Sequence, residues 1–231
     1  MDSQAAPTTR LVDTPWRDIP DAPLLLIPVG STEQHGPHLP LDVDTVIAAA
    51  VCDAAAARIA GDVRVAPAIA YGASGEHQGF PGTLSLGTDA LVTSLVELGR
   101  SARLWAGRLV FVNGHGGNVD ALERAIALLR HEGTDAAWLP CRHGEGHAGR
   151  AETSLMLHLD PARVRLDLAA PGRTEPMREL LPRLRAEGVR AVSPNGVLGD
   201  PTGASADEGA ALLARMADEV AQAAAGERAR S

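Results

Sequence analysis

The sequence predicts an α/β fold, a three-layer α/β/α arrangement around a mostly parallel central sheet. Three observations predict it. Short apolar runs alternate with helical patterns along the chain, which is the order of strands crossing over through helices. The loops that follow three of the apolar runs are crowded with glycine, histidine and acid, as expected where strand carboxyl ends build a site. The composition is 45% hydrophobic with only 3% aromatic residues, so the core must be built from Leu, Val, Ile and Ala.

Each element can be justified in order. Residues 1–20 hold three prolines and read as an N-terminal arm, with 21–231 forming a single domain. Leu24 to Val29 is a continuous apolar run, the pattern of a strand buried on both faces. Asp44 reads as the N-cap of an alanine-rich helix over 45–60, ended by Gly61. A strand follows at 63–67. Residues 71–87 form a glycine-rich loop, long enough to expect a function. A helix is predicted over 89–106, a strand over 109–113, and a helix over 119–131 with Leu122, Ile126 and Leu129 on one face. A fourth strand falls at 136–141, a polar loop at 142–150, and further helices near 152–158, 175–187 and 207–225. No internal repeat or domain linker is visible.

A net charge of −8 argues against nucleic acid or an anionic membrane as partner. No apolar run approaches the roughly 20 residues of a membrane span, and residues 1–10 carry no hydrophobic signal core. Two cysteines, Cys52 and Cys141, suit buried thiols in a reducing compartment. The expectation is a soluble, cytoplasmic protein.

The chemistry is concentrated in three stretches. Val29 to Asp44 contains Glu33, His35, His38, Asp42 and Asp44 on backbone broken by glycine and proline. Glu33 and His35 are two apart, which puts both on one side of an extended chain. Mixed carboxylate and imidazole ligands suit zinc, iron(II) or manganese, and the lack of cysteine ligands points to catalysis rather than structure. The same spacing also fits solvated loop residues. His115 follows a strand in Gly114-His115-Gly116-Gly117-Asn118, which fits a tight turn or a close backbone approach to a ligand, but no P-loop or dinucleotide fingerprint. His147 and Glu152 flank a helix start, where a glutamate also suits the helix dipole. His143 and Glu145 read as solvated loop residues, His131 and His158 as structural or surface residues, and Glu76 and His77 as intermediate. No Gly-x-Ser-x-Gly elbow supports a serine hydrolase.

Taken together, Gly30-Ser31-Thr32-Glu33-Gln34-His35-Gly36-Pro37-His38-Leu39-Pro40, Asp44, Asn113-Gly114-His115-Gly116-Gly117-Asn118 and His147-Ala148-Gly149-x-x-Glu152-Thr153-Ser154 resemble the creatininase family of metal-dependent amidohydrolases. The resemblance covers nearly the whole chain and implies a creatininase-like fold. Within the family, Tyr71 to Gln78, Arg108 to Asn118 and Val192 to Thr202 are most similar to the peptidases of the mycofactocin system. That likeness implies hydrolysis of an amide bond in a modified ribosomal precursor peptide, releasing its C-terminal Val-Tyr-derived core during redox-cofactor biosynthesis. The alternative within the family is a small-molecule amidohydrolase acting on a cyclic amide or formamide.

The resemblance further implies two divalent metal ions per subunit, Zn2+ and/or Fe2+, with Mn2+ also compatible. Glu33 would bind one and His35 the other, with Asp44 bridging and His115 joining Glu33. Creatininase carries a ligating glutamate two residues after this histidine, where this chain has Gly117, and an aromatic beside it, where this chain has Gly116. Glu152 is the expected replacement ligand, and creatinine is disfavoured as substrate. His147 matches the family's proton-transfer histidine. Ser74, Gly116 and Gly117 are candidate substrate contacts, and a homo-oligomer, a hexamer or similar, is expected.

Overall fold

The structure, a computed structural model, describes residues 9–144 and 146–226. Glu145 and part of the predicted arm, residues 1–8, lie outside the described residues. Four strands form one sheet: β1 (Leu24–Val29), β2 (Val63–Val65), β3 (Arg108–Asn113) and β4 (Ala136–Pro140), in the order β2-β1-β3-β4. Every pairing is parallel, with Leu24 opposite both Val63 and Arg108, and Leu109 opposite Ala136.

Seven helices accompany the sheet among the described residues: α1 (Val43–Ala56), α2 (Thr88–Ala102), α3 (Val119–His131), α4 (Arg150–Leu159), α5 (Met177–Glu187), α6 (Val189–Val192) and α7 (Ala206–Gly226). The period-two geometry of a strand sends alternate residues to opposite faces. Leu24, Leu26, Val110 and Val112 therefore join a core with α1, α4 and α7. Leu25, Ile27, Leu109 and Phe111 join a second core with α2 and α3. This is the three-layer arrangement that the sequence predicts. A small third cluster couples α5 and α6 to Leu198.

Differences from the sequence expectations lie at element ends. The first helix starts at Val43 and stops at Ala56. The second stops at Ala102 and is followed by a turn. High alanine content favours helix but does not hold a last turn by itself. Residues 9–20, expected within an arm, are tied to the sheet: Arg10 bridges Val65, and the Val65 N–H donates to Thr9 O at 2.9 Å. Two short 3-10 turns, Leu11–Asp13 and Trp16–Asp18, follow. With Ala22, Leu104 and Trp105 they line an open groove of about 770 Å³, and Ala22 and Trp105 closely precede β1 and β3. This part of the arm therefore extends to the amino end of the sheet.

Candidate metal centre

All four strand carboxyl ends feed one buried cluster. Gly30 leaves β1 so close to α1 that a Cβ there would lie 2.3 Å from Thr45 Oγ1. Thr45 donates to Ser31 O at 2.9 Å, and Ser31 Oγ donates to Asp44 Oδ2 at 2.7 Å. Asp44 is not the N-cap that its position suggests. It is the second residue of α1, and Asp42 occupies the cap position without a side-chain cap bond. The Asp44 carboxylate is thereby turned into the cluster.

Behind the loops, Asn118 joins three of them. Its amide nitrogen donates to Gly30 O at 2.9 Å and Asn113 Oδ1 at 3.1 Å, while its oxygen accepts from the Ala73 N–H at 2.9 Å. Asn113 in turn brackets His115, donating to its carbonyl and accepting from its N–H.

Asp44 sits between two imidazoles, with Oδ1 3.2 Å from His35 Nε2 and Oδ2 3.4 Å from His115 Nδ1. Glu33 Oε2 is 3.2 Å from His115 Nε2, and Glu33 Oε1 is 3.2 Å from His77 Nε2 and 3.7 Å from His147 Nδ1. Glu152 Oε2 lies 3.9 Å from His35 Nε2 and accepts the Ala148 N–H at 2.5 Å. Ligand atoms of Glu33–His35–Asp44, of Glu33–His77–His147 and of His35–His147–Glu152 each converge within 4.8 Å.

Three of these histidines have a backbone carbonyl behind the ring: Glu33 O, 3.2 Å from His35 Nδ1; Ala73 O, 3.2 Å from His115 Nε2; and Gln34 O, 2.7 Å from His147 Nε2. A carbonyl only accepts, so each of those nitrogens carries the proton. The opposite nitrogens, His35 Nε2, His115 Nδ1 and His147 Nδ1, face the carboxylates, and His115 Nε2 is shared between Ala73 O and Glu33 Oε2. Such a partner behind the ring is the usual way a metal-ligating imidazole is oriented.

The electrostatics describe a cluster short of positive charge. Burial pushes Glu33 up to about 7, against the pull of His115. Burial alone would depress His35 and His115, but Asp44 outweighs it for the first, and Glu33 and Asp44 for the second, lifting both to about 10. Asp44 resists its own burial and is held well below the carboxylate range by His35 and His115. His77 falls to about 3, by burial and then His115 and His35. Burial, His35 and His77 press His147 well below the ordinary imidazole value that a proton-transfer role would suggest.

A divalent cation fits these residues. Glu33 is fully buried, yet neither of its oxygens completes a hydrogen bond. A buried carboxylate in that condition leaves two acceptor oxygens that a cation can take. The oxygen and imidazole donors, without cysteine among the converging groups, suit zinc, iron(II) or manganese.

Glu33, His35, Asp44, His115, His147 and Glu152 are thus brought together. Ser74 is completely buried beside Glu33 and not in an open cleft. Gly116 is exposed, with open space where a side chain would stand. At Gly117 a Cβ would meet Ala73 O at 2.3 Å, His115 Nε2 at 2.4 Å and Glu76 Oε1 at 2.8 Å, so a glutamate cannot stand there in this arrangement. His143, expected in solvent, has its ring largely buried with Nε2 3.6 Å from Glu152 Oε1. His38 donates to Thr153 Oγ1 at 2.9 Å, since the Thr153 proton goes to Gly149 O, and Asp42 pairs with Arg163. Both support the loop from outside the cluster.

His77, Gln34 and Asn118 were within reach of sequence reasoning only as members of motif strings without a role. Gln34 and Asn118 carry no charge to mark them, and His77 lies in the loop after β2, 38 positions before His115: the signal that could have found it is the Glu76-His77 pair inside a long loop.

Residues 13–224 match the family described as "Creatininase: Creatinine amidohydrolase". The chain belongs to the creatininase family. A relative from Mycolicibacterium smegmatis, named "Mycofactocin precursor peptide peptidase", is 58% identical over 200 residues, covering 84% of this chain and 81% of that protein. Among solved structures, a creatininase variant of the "Zn-Zn type" is 28% identical at a TM-score of 0.75, covering 96% of this chain and 99% of that one. A structure described as "Creatininase Mn" is 29% identical at a TM-score of 0.77, with the same coverage.

Proposed function

We propose that this chain is a metal-dependent peptidase that hydrolyses an amide bond in the modified mycofactocin precursor peptide and releases its C-terminal Val-Tyr-derived core. The observation that carries this reading is the 58% identity to a mycofactocin precursor peptide peptidase across 84% of the chain. Identity to the creatininase structures is half that, at 28–29%. The open space beyond Gly116 favours an extended substrate.

Glu33, His35, Asp44, His115 and Glu152 would hold two divalent ions, Asp44 between them because its two oxygens face different imidazoles. Zinc, iron(II) and manganese all suit the donor set. Bound divalent ions acidify water toward a pKa of about 7 and polarise a carbonyl. His147 receives the proton of the attacking water at Nδ1 and passes it to the leaving nitrogen. Its depressed proton affinity suits the second step, because a proton taken up there is readily given away. The Leu198 backbone, bonded to His147 in both directions at 2.9 and 2.8 Å, keeps that ring in place. The backbone N–H groups of Gly116 and Gly117 serve the substrate oxygen. Residues 21–231 act as one catalytic domain within a homo-oligomer. Two buried free cysteines suit a reducing cytoplasm, and no described helix is long and apolar enough to cross a membrane.

Incubation of the metal-loaded protein with the decarboxylated precursor peptide, followed by mass spectrometry, tests the reading. Release of the Val-Tyr-derived core is expected. An intact peptide, with hydrolysis of a cyclic amide or formamide instead, would replace it with the small-molecule reading.

A further inference from the structure

We infer that Gln34 is a positioning residue that turns His77 into an inward-facing N–H donor, so that His77 serves the Glu33 carboxylate and is not a metal ligand. The inference rests on the proposed reading of the cluster as a metal centre. His77 otherwise qualifies as a ligand, since its ring nitrogen converges with Glu33 and His147.

The proton inventory decides its role. Gln34 is 5% exposed, and its Oε1 accepts the Gly36 N–H at 2.9 Å, which fixes the orientation of the amide. Its Nε2 therefore has two protons to place. Three atoms lie in range: Gly196 O at 3.0 Å, His77 Nδ1 at 2.9 Å and His147 Nε2 at 3.0 Å. His147 Nε2 is itself a donor, committed to Gln34 O at 2.7 Å, and cannot accept. Gly196 O and His77 Nδ1 take the two protons. His77 then carries its own proton on Nε2, 3.2 Å from Glu33 Oε1.

The other three histidines have a carbonyl behind the ring, and their opposite nitrogens, His35 Nε2, His115 Nδ1 and His147 Nδ1, can present a lone pair inward once neutral. His77 has an amide N–H behind it and a proton facing inward, which leaves no lone pair for a cation. The His77 proton lies beside Glu33 Oε1 without completing a hydrogen bond, so its effect on the carboxylate is electrostatic, while Oε2 faces His115 at 3.2 Å. This is the orienting role that residues behind metal ligands perform.

The stretch after α6 is what makes Gln34 immobile. Gly196 has φ +80°, and a Cβ there would lie 1.8 Å from Gln34 Oε1. Only glycine lets this loop press its carbonyl onto the amide. The 193–201 stretch is thereby connected to the cluster through one side chain.

The test combines metal content, turnover and tautomer. Elemental analysis of the wild type is the control: fewer than one tight metal per chain removes the metal reading itself. With metal present, His77→Gln and His77→Ala are expected to keep the wild-type metal count. His77→Ala is expected to lose about 10–100-fold in turnover, and His77→Gln, which retains an N–H donor, to recover part of it. Loss of a metal from both variants, with the wild type loaded, would overturn the inference. Long-range 15N NMR of the zinc-loaded wild type, which needs no variant to fold, should show His77 protonated at Nε2. Gln34→Glu should move that proton to Nδ1, because a carboxylate accepts where the amide donates. A wild-type His77 protonated at Nδ1 would refute the assignment.

Discussion

The acids at the carboxyl end of the sheet and the acids on the helix surfaces carry the same charge in opposite settings. On the surface, Glu132 receives the Arg100 and Arg103 guanidinium groups, Asp89 and Asp120 receive Arg124, and Glu187 receives Arg183. Each pair stands in water with a permanent cation. In the cluster, Glu33, Asp44 and Glu152 are almost fully buried, and their charged neighbours in the described structure are imidazoles. An arginine would neutralise a buried carboxylate for good. An imidazole can give up its proton when a metal ion takes over the charge. The comparison teaches that the surface acids are held by permanent cations, whereas the buried ones face groups that can give up their charge.

Asp44→Ala should break the buried side of this comparison most severely. It removes the carboxylate between His35 and His115, and turnover should fall by more than about 100-fold, beyond the range seen when residues behind a ligand are removed. Elemental analysis should show metal lost as well. Full activity with full metal would refute the assigned role.

Chelation should have the next largest effect, and its sign depends on pH. His35 and His115 reach about 10 in the fold against an ordinary 6.5. A raised imidazole value stabilises fully below about pH 6.5, and that contribution is lost as pH rises through about 10. The metal-free protein should therefore lose melting temperature between pH 7 and 10. The metal-loaded protein, whose ligating imidazoles are already neutral, should lose less. Parallel melting curves across that range would refute the picture. Cys52 and Cys141, whose values burial pushes up, titrate in both forms and cancel in the difference.

Arg100→Ala marks the small end. It breaks bonds to Glu132 and Glu97 on exposed helix faces, where ion pairs contribute little. The melting temperature should stay close to wild type, and metal content and turnover should not change. A loss of metal would mean that surface and cluster are coupled.

Much of the fold was legible in advance for a local reason. The apolar runs at β1 and β3 and the 3.6-residue spacing in α3 are patterns of adjacent residues, and α3 occupies the predicted 119–131 span. Helix ends were less legible. Pro182 lies inside α5, and the short α6 follows immediately after Gly188, so neither limit is set by propensity alone. At the site, Glu33, His35 and Asp44 stood out because ligand-type residues are dense in one loop. His143 was misplaced in solvent because nothing in its neighbours reveals that Glu152 comes back to it.

The sequence by itself determined the α/β class, the family resemblance and the residues able to bind a metal, because periodicity and motif spacing are written in neighbouring positions. Only the tertiary structure decided which nitrogen of each histidine faces inward, why Gly117 admits no side chain, and that Gln34 lies behind His77. Those outcomes depend on contacts between distant residues: Gln34 reaches His77 across 43 positions, His147 across 113 and Gly196 across 162. Burial and proton placement are properties of such contacts, and no local pattern encodes them.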